Sequence, residues 1–476
     1  MAFPEYARFD GLGLAELVRR SEVTPLELVD AAIERIEKLD PRLNAVVHRA
    51  FDEAREAARG PLPDGPFRGV PFLIKDLGAR VAGMPRTSGC RYLAGEFDRE
   101  DSELVRRYRQ AGLVFLGKTN TPELGITGTT ESALLGPCRN PWNPEHIAGG
   151  SSGGAASATA AGMVPVAHAS DGLGSIRIPA ACCGLFGLKV TRERNPSGPD
   201  DRDRAIGFAV DHVVSRSVRD SAAMLDATGY PEPASPYAPP PKERPYLEEV
   251  GRPPGRLRIA YSAETPSGRP IHQENLRALE DTVALLEELG HELVPRGLEV
   301  DYRALYRAQG AVSSCNLAAH FTELEERMGR PPEQDELEPL TWASLGLGRR
   351  LSGEVALRGL RTLRALNRRV LALFEDFDVY LTPVMGTPPP PIGHIDPVRL
   401  EPREVQRRQA VAFPFTPPFN FTGQPAMSVP LAWSEDGLPL GMHFVGRYGD
   451  EGTLFRLAGQ LEEARPWRDR IPPIFG

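Results

Sequence analysis

The chain has 476 residues, 41% of them hydrophobic and 25% charged, which is ordinary for a folded protein and excludes disorder as its dominant state. Its formal charge is −8 at pH 7, which argues against nucleic acid as a partner and gives no attraction to an anionic membrane. No apolar run reaches the ~18 residues of a transmembrane helix. The N-terminal MAFPEYARFDGLGLAEL shows no basic segment leading into an apolar one, so no secretory signal is expected. The five cysteines (Cys90, Cys138, Cys182, Cys183, Cys315) are odd in number and irregular in spacing. A reducing, cytoplasmic setting is expected rather than a disulfide framework. Only five cations are lysines: Lys38, Lys75, Lys118, Lys189 and Lys242. A lysine inside an apolar stretch therefore stands out.

In chain order, residues 24–39 predict an amphipathic helix. Thr24 and Glu27 make a capping box, Pro25 takes the first helical position, and Leu28, Ala32, Ile33, Ile36 and Leu39 share one face. Gly69–Lys75 reads as a short buried strand, as do Leu113–Leu116 and Val164–Ala169. The Pro- and Asn-rich stretch 139–147 reads as a loop. It leads into Gly149-Gly-Ser-Ser-Gly-Gly154 and an Ala-rich helix, 155–161. Residues 231–256, dense in proline, read as a surface connection. A strand at Leu257–Tyr261, a helix at about 275–289, another at 354–375 and a stiff loop at Pro388–Pro391 follow. Strands alternating with helices predict an α/β architecture.

Two short motifs mislead. Gly112-Leu-Val-Phe-Leu-Gly-Lys118-Thr119 fits the phosphate-loop pattern, but its middle residues form a buried-strand sequence rather than a curl of exposed amides. Gly149-Gly150-Ser151-Ser152-Gly153 fits the nucleophile elbow of α/β-hydrolases. That elbow needs a strand before it, and Asn140–His146 reads as loop. A His-dependent esterase built on it is the runner-up mechanism, with His320, His394 or His443 as the base.

A third constellation joins Lys75, the Gly/Ser loop at 149–154 and Asp171-Gly-Leu-Gly-Ser175-Ile-Arg-Ile-Pro179. With GVPFLIKD (69–76), GKTNTPELG (117–125), NPWNPEHIAGGSSGG (140–154), DGLGSIRIPAACCGLFGLK (171–189), DVYLTPV (378–384), FNFTGQPAMSVP (419–430) and GLPLGMHFVGR (437–447), the sequence resembles the amidase signature family over nearly its whole length. The resemblance implies a single α/β domain over 1–476, with a central mixed sheet flanked by helices on both faces. Its signature core would span about 65–195 and a substrate-shaping part about 300–400. It also implies amide hydrolysis by a Ser–cis-Ser–Lys triad. Ser175 would be the acyl-forming nucleophile, Ser151 the bridge and Lys75 the general base. The chemistry is sound: a serine hydroxyl needs a base, lysine is one only when neutral, and Val70, Phe72, Leu73 and Ile74 supply apolar surroundings that favour the neutral form.

Backbone N–H groups of Gly172, Leu173, Gly174 and Ser175 would receive the oxyanion. Leu173 stands where the family commonly has glycine, which questions the turn's conformation. Val190 replaces a usual proline, and His443 a usual glutamine. Ser152, Gly150 and Thr127 are candidate supporting residues. Asp171 and Arg177 are expected to brace the loop more than to touch substrate, and Lys118 and Lys189 to be structural cations near the sheet edge. Ile178, Ser314-Cys315-Asn316 and Glu338–Trp342 look closer to the stand-alone hydrolases of nylon oligomers and aryl amides than to the amidotransferase subunit. Cys315 is a candidate pocket residue. The expected partner is a small amide or carbamate, with ester hydrolysis and a partner-dependent amidotransferase subunit as alternatives. A monomer or homodimer is expected. No cofactor is implied, and the histidines and cysteines show no metal-ligand spacing.

Overall fold

The computed structural model describes residues 3–198, 204–232, 235 and 237–476. The strands are β1 (Val46–Arg49), β2 (Pro71–Lys75), β3 (Val114–Thr119), β4 (Glu131–Ser132), β5 (Gly136–Pro137), β6 (Val166–Asp171), β7 (Phe186–Lys189), β8 (Val210–Ser215), β9 (Arg258–Tyr261), β10 (Glu292–Pro295), β11 (Val379–Pro383), β12 (Ala426–Trp433) and β13 (Pro439–Gly446). Eleven form one sheet in the order β1-β3-β2-β6-β8-β7-β12-β13-β11-β9-β10, while β4 and β5 pair apart. The sheet is mixed. β3, β2 and β6 are parallel, the run from β6 to β11 is antiparallel, and β11, β9 and β10 are parallel again.

Strand alternation puts helices on both faces. In β12, Met427, Val429 and Leu431 join a core with the helices Val218–Thr228, Gln273–Glu288 and Glu451–Ala464. Ser428 points the other way, to where Ala181 of the helix Arg177–Cys183 packs on Gly441. A second large core joins β2, β3 and β6 to the helices Pro25–Leu43 and Gly153–Ala160. The first of these carries the predicted Thr24–Glu27 capping box and runs on to Leu43.

Three expectations need correction. β6 starts at Val166 rather than Val164; Pro165 has no N–H to give a ladder. The proline-rich connection contains the helix Tyr246–Val250. Asp226 accepts from the N–H groups of Tyr246 and Leu247, and the Tyr246 ring is buried. Lys118 is near the edge as expected, on β3 beside the edge strand β1, but Lys189 is not: β7 lies in the middle of the sheet, and both lysines are fully buried. Lys118 Nζ donates to the Ala79 carbonyl (3.3 Å) and lies 4.0 Å from Asp98. Lys189 Nζ donates to the Val190 carbonyl (3.1 Å). Burial lowers both lysines; with the nearby charge of Arg177 it pushes Lys189 down to about 7.

Candidate active site

β2 is buried along its whole length, and its last side chain is a lysine with no exposed surface. A buried amine must find partners. Lys75 Nζ lies 2.6 Å from Ser151 Oγ, 2.9 Å from Ser152 Oγ and 3.0 Å from Ser170 Oγ. Asp76, the next residue, points to the opposite face, where it accepts from the Thr87 N–H and hydroxyl. The Gly150–Ser151 peptide is cis. Glycine is required on the way into it: a Cβ on Gly149 would lie 2.7 Å from the Pro179 Cα, and one on Gly150 2.7 Å from the Thr129 backbone. The segment before Ser151 is loop, not strand, so the nucleophile-elbow geometry is absent. The phosphate-loop match falls on β3, as its apolar middle required.

β6 ends at Asp171, and the turn Gly172–Ile176 leads into the helix Arg177–Cys183. Asp171 organises this turn. Its carboxylate accepts from the N–H groups of Gly174 (2.6 Å) and Ile176 (3.2 Å), and from Arg177 Nε and Nη2, both at 2.9 Å. Asn420 Nδ2 donates to Asp171 Oδ1 and to its backbone carbonyl. Burial alone would raise this carboxyl; the charge and hydrogen bonds of Arg177, with Lys189 and Asn420, hold it well below the usual carboxylate range. The Gly174 N–H is thus committed to Asp171, which removes it from the four oxyanion donors expected from sequence.

Arg177 is satisfied on its remaining donors by the Thr416 carbonyl (3.1 Å), Asn420 Oδ1 (2.6 Å) and His443 Nε2 (2.9 Å). Since guanidinium only donates, His443 carries its proton on Nδ1, which faces Thr382 Oγ1 at 3.3 Å. Burial and the Arg177 charge keep this ring neutral, far below its ordinary pKa. His443 thus acts as a neutral acceptor closing a buried network.

Leu173 does not distort the turn. Its φ is not positive, whereas Gly174 has φ +132°, and a Cβ there would collide with Thr416 Oγ1. The Leu173 side chain packs into a cluster with Phe208, Leu305, Ala308 and Val312, and its carbonyl accepts from Thr416 Oγ1 (2.7 Å). Val190 is buried in the core.

Lys75, Ser151 and Ser152 therefore meet directly, as do Asp171 and Arg177. Ser175 is half-buried at the end of the braced turn. Thr127 is buried and donates to the Thr129 carbonyl (2.9 Å). Cys315 is half-buried on the helix Tyr302–Met328, one turn beyond Val312. Sequence reasoning missed Ser170, His168, Thr416 and Asn420. The first two carried a signal: in VAHASD, His168 and Ser170 alternate on one face of an otherwise apolar strand. Among the described residues no group of three or more His, Cys, Asp or Glu side chains is placed to hold a metal. No helix there is long and apolar enough to cross a membrane.

The loop after β3 passes close to Ser151. A Cβ on Gly125 would lie 3.2 Å from Ser151 Oγ. Two residues earlier, Glu123 accepts from the Glu338 N–H (2.8 Å). Glu338 in turn accepts from the Ala133 N–H (2.8 Å). Burial, then the nearby Glu123 charge, pushes Glu338 up to about 8. A carboxyl with a raised folded-state pKa favours folding below its ordinary value, and that contribution is lost as the pH climbs through about 8. Glu338→Gln keeps the acceptor and cannot ionise. It is expected to melt about 2 °C above the parent at pH 9 and level with it at pH 4, in a thermal scan against pH.

The match to known proteins agrees with this layout. The Amidase family model matches residues 27–455, and the chain belongs to the amidase signature family as an amide-hydrolysing enzyme. It is 36% identical over 481 residues to the 6-aminohexanoate-cyclic-dimer hydrolase of Paenarthrobacter ureafaciens, covering 98% of this chain and 96% of that one. A solved structure of 6-aminohexanoate cyclic dimer hydrolase complexed with substrate superposes with a TM-score of 0.93 at 35% identity, covering 99% of this chain and 100% of the other. A bacterial aryl acylamidase superposes at 0.86 with 26% identity, covering 96% of each chain.

Proposed function

We propose that Ser175 is the nucleophile, Ser151 the proton bridge and Lys75 the base of an acyl-enzyme amidase acting on small, apolar linear or cyclic amides. The observation that carries this is Lys75 Nζ 2.6 Å from Ser151 Oγ in a site with no exposed lysine surface. A neutral amine has two N–H groups and one lone pair. Ser152 gives its own proton to the Ser170 carbonyl (3.2 Å), so it accepts from Lys75. With its second N–H on Ser170 Oγ (3.0 Å), neutral Lys75 turns its lone pair to the Ser151 hydroxyl.

The step balances. Ser175 Oγ bonds to the amide carbon while its proton passes to Ser151 and the Ser151 proton to Lys75. The oxyanion takes N–H groups from Gly172, Leu173 and Ser175. Collapse breaks the carbon–nitrogen bond, and the proton returns by the same route to the leaving amine. Water then releases the acid. Leu173, two residues before Ser175, packs on Phe208 and Val312, so the flank of the turn is apolar, which favours a hydrocarbon acyl group; Cys315 lies on the helix that carries Val312.

The test is turnover of an acylated nitroaniline without metal or ATP, with intact-mass detection. The parent chain is expected to release the amine and carry an acyl adduct; Ser175→Ala is expected to show neither. An adduct that persists in Ser175→Ala would sink the assignment. The same assay on the aminohexanoate cyclic dimer and on an aryl carbamate ranks the substrate classes.

A further inference from the structure

β2 pairs with β3 over five positions but with β6 at one alone, Leu73↔Ala167. The two parallel strands part before Lys75. The Asp76 N–H still bonds across to the Thr119 carbonyl of β3 (3.1 Å), so the Lys75 N–H faces the gap on the β6 side. A buried N–H left unpaired is costly. The acceptor here is a side chain: His168 Nδ1, on β6, at 3.2 Å. An amide only donates, so Nδ1 bears the lone pair and Nε2 the proton, which faces Asp211 Oδ1 on β8 at 3.1 Å. The imidazole is wholly buried and braced edge-on by the Tyr108 ring at 6.0 Å. Asp211 thus selects the one tautomer that can accept from the Lys75 backbone.

We propose that His168, its tautomer held by Asp211, is a positioning residue for Lys75. It replaces the missing ladder bond and fixes the strand end from which Nζ reaches Ser151. This rests on Lys75 being the base, as proposed above. Neither imidazole nor carboxylate touches the reacting atoms. Their effect is on the rate of acylation rather than on substrate affinity, because a displaced base weakens the transition state and leaves ground-state contacts in place.

The experiment measures single-turnover acylation and KM for His168→Leu, His168→Asn and Asp211→Asn, with Lys75→Met beside them and thermal melts for each. His168→Leu is expected to acylate about 10- to 100-fold more slowly at unchanged KM. His168→Asn, whose Oδ1 replaces the Nδ1 acceptor, is expected to recover to within about threefold of the parent. Asp211→Asn no longer enforces the tautomer and is expected to fall between them. A folded His168→Leu at the parental rate overturns the proposal, and so does a folded His168→Asn as slow as His168→Leu. Should His168→Leu fail to fold, Asp211→Asn decides: a parental rate overturns the proposal and a slower one supports it. Turnover by Lys75→Met would overturn the underlying triad instead, which separates the two failures.

Discussion

Lys75→Met is expected to fold as the parent does and to lose kcat by about 10⁴-fold or more, with KM little changed. Methionine matches the length of the lysine stem and fills the same buried slot, so the substitution removes the amine and little else. Two consequences follow. Ser151 loses the amine 2.6 Å from its hydroxyl, which in the proposed triad is the group that takes its proton when Ser175 attacks. Ser152 and Ser170 each lose a hydrogen-bond partner, a cost of about 1–3 kcal/mol apiece if nothing replaces it, offset by no longer burying a polar amine. The measurements are steady-state kinetics on an aryl amide and a thermal melt. A variant that retains more than about a tenth of parental kcat would show that another group serves as base.

Asp171→Asn is expected to be the most damaging substitution for stability, by about 3–5 kcal/mol. It keeps the shape of the side chain but removes the charge that balances Arg177, which is wholly buried. The bidentate pair of 2.9 Å bonds is broken, and the amide cannot serve Gly174, Ile176, Arg177 and Asn420 together. The turn that presents Ser175 loosens, so acylation falls as well. Denaturant unfolding of Asp171→Asn, Arg177→Gln and the double variant checks this. The double variant is expected to lose much less than the two singles added; additivity would show that the pair is not coupled.

Much of this was legible in the sequence because it depended on local rules. The capping box at Thr24 and the buried strand ending in Lys75 follow from side-chain chemistry a few residues apart. So does the rejection of the phosphate loop, where Leu113–Leu116 had no reason to curl. The placement of Lys75 and Asp76 on opposite faces follows from strand alternation alone. What was not legible depended on neighbours distant in the chain. Nothing near Leu173 shows that Phe208, Leu305 and Val312 receive its side chain. Nothing near His443 shows that its lone pair meets Arg177. Lys189 was expected near the sheet edge; its central position follows from strand order, which no single segment encodes. The commitment of the Gly174 N–H to Asp171 is local but geometric, and a pattern of residue types does not reveal which amides a turn points inward.

The network behind the turn also bears on when, during synthesis, the protein becomes competent. Asp171 is bonded to Asn420 across 249 residues, and Arg177 to His443 across 266. A nascent chain that has emerged as far as the helix after the turn already holds Lys75, Ser151 and Ser175. It still lacks Thr416, Asn420 and, on β13, His443, which seat Arg177. Such long-range closures are made late, since their entropy must be overcome before they stabilise anything. Competence therefore arrives only when the C-terminal strands dock beside β7. A ribosome-bound fragment would carry all three residues of the proposed triad yet have no braced turn from which to use them.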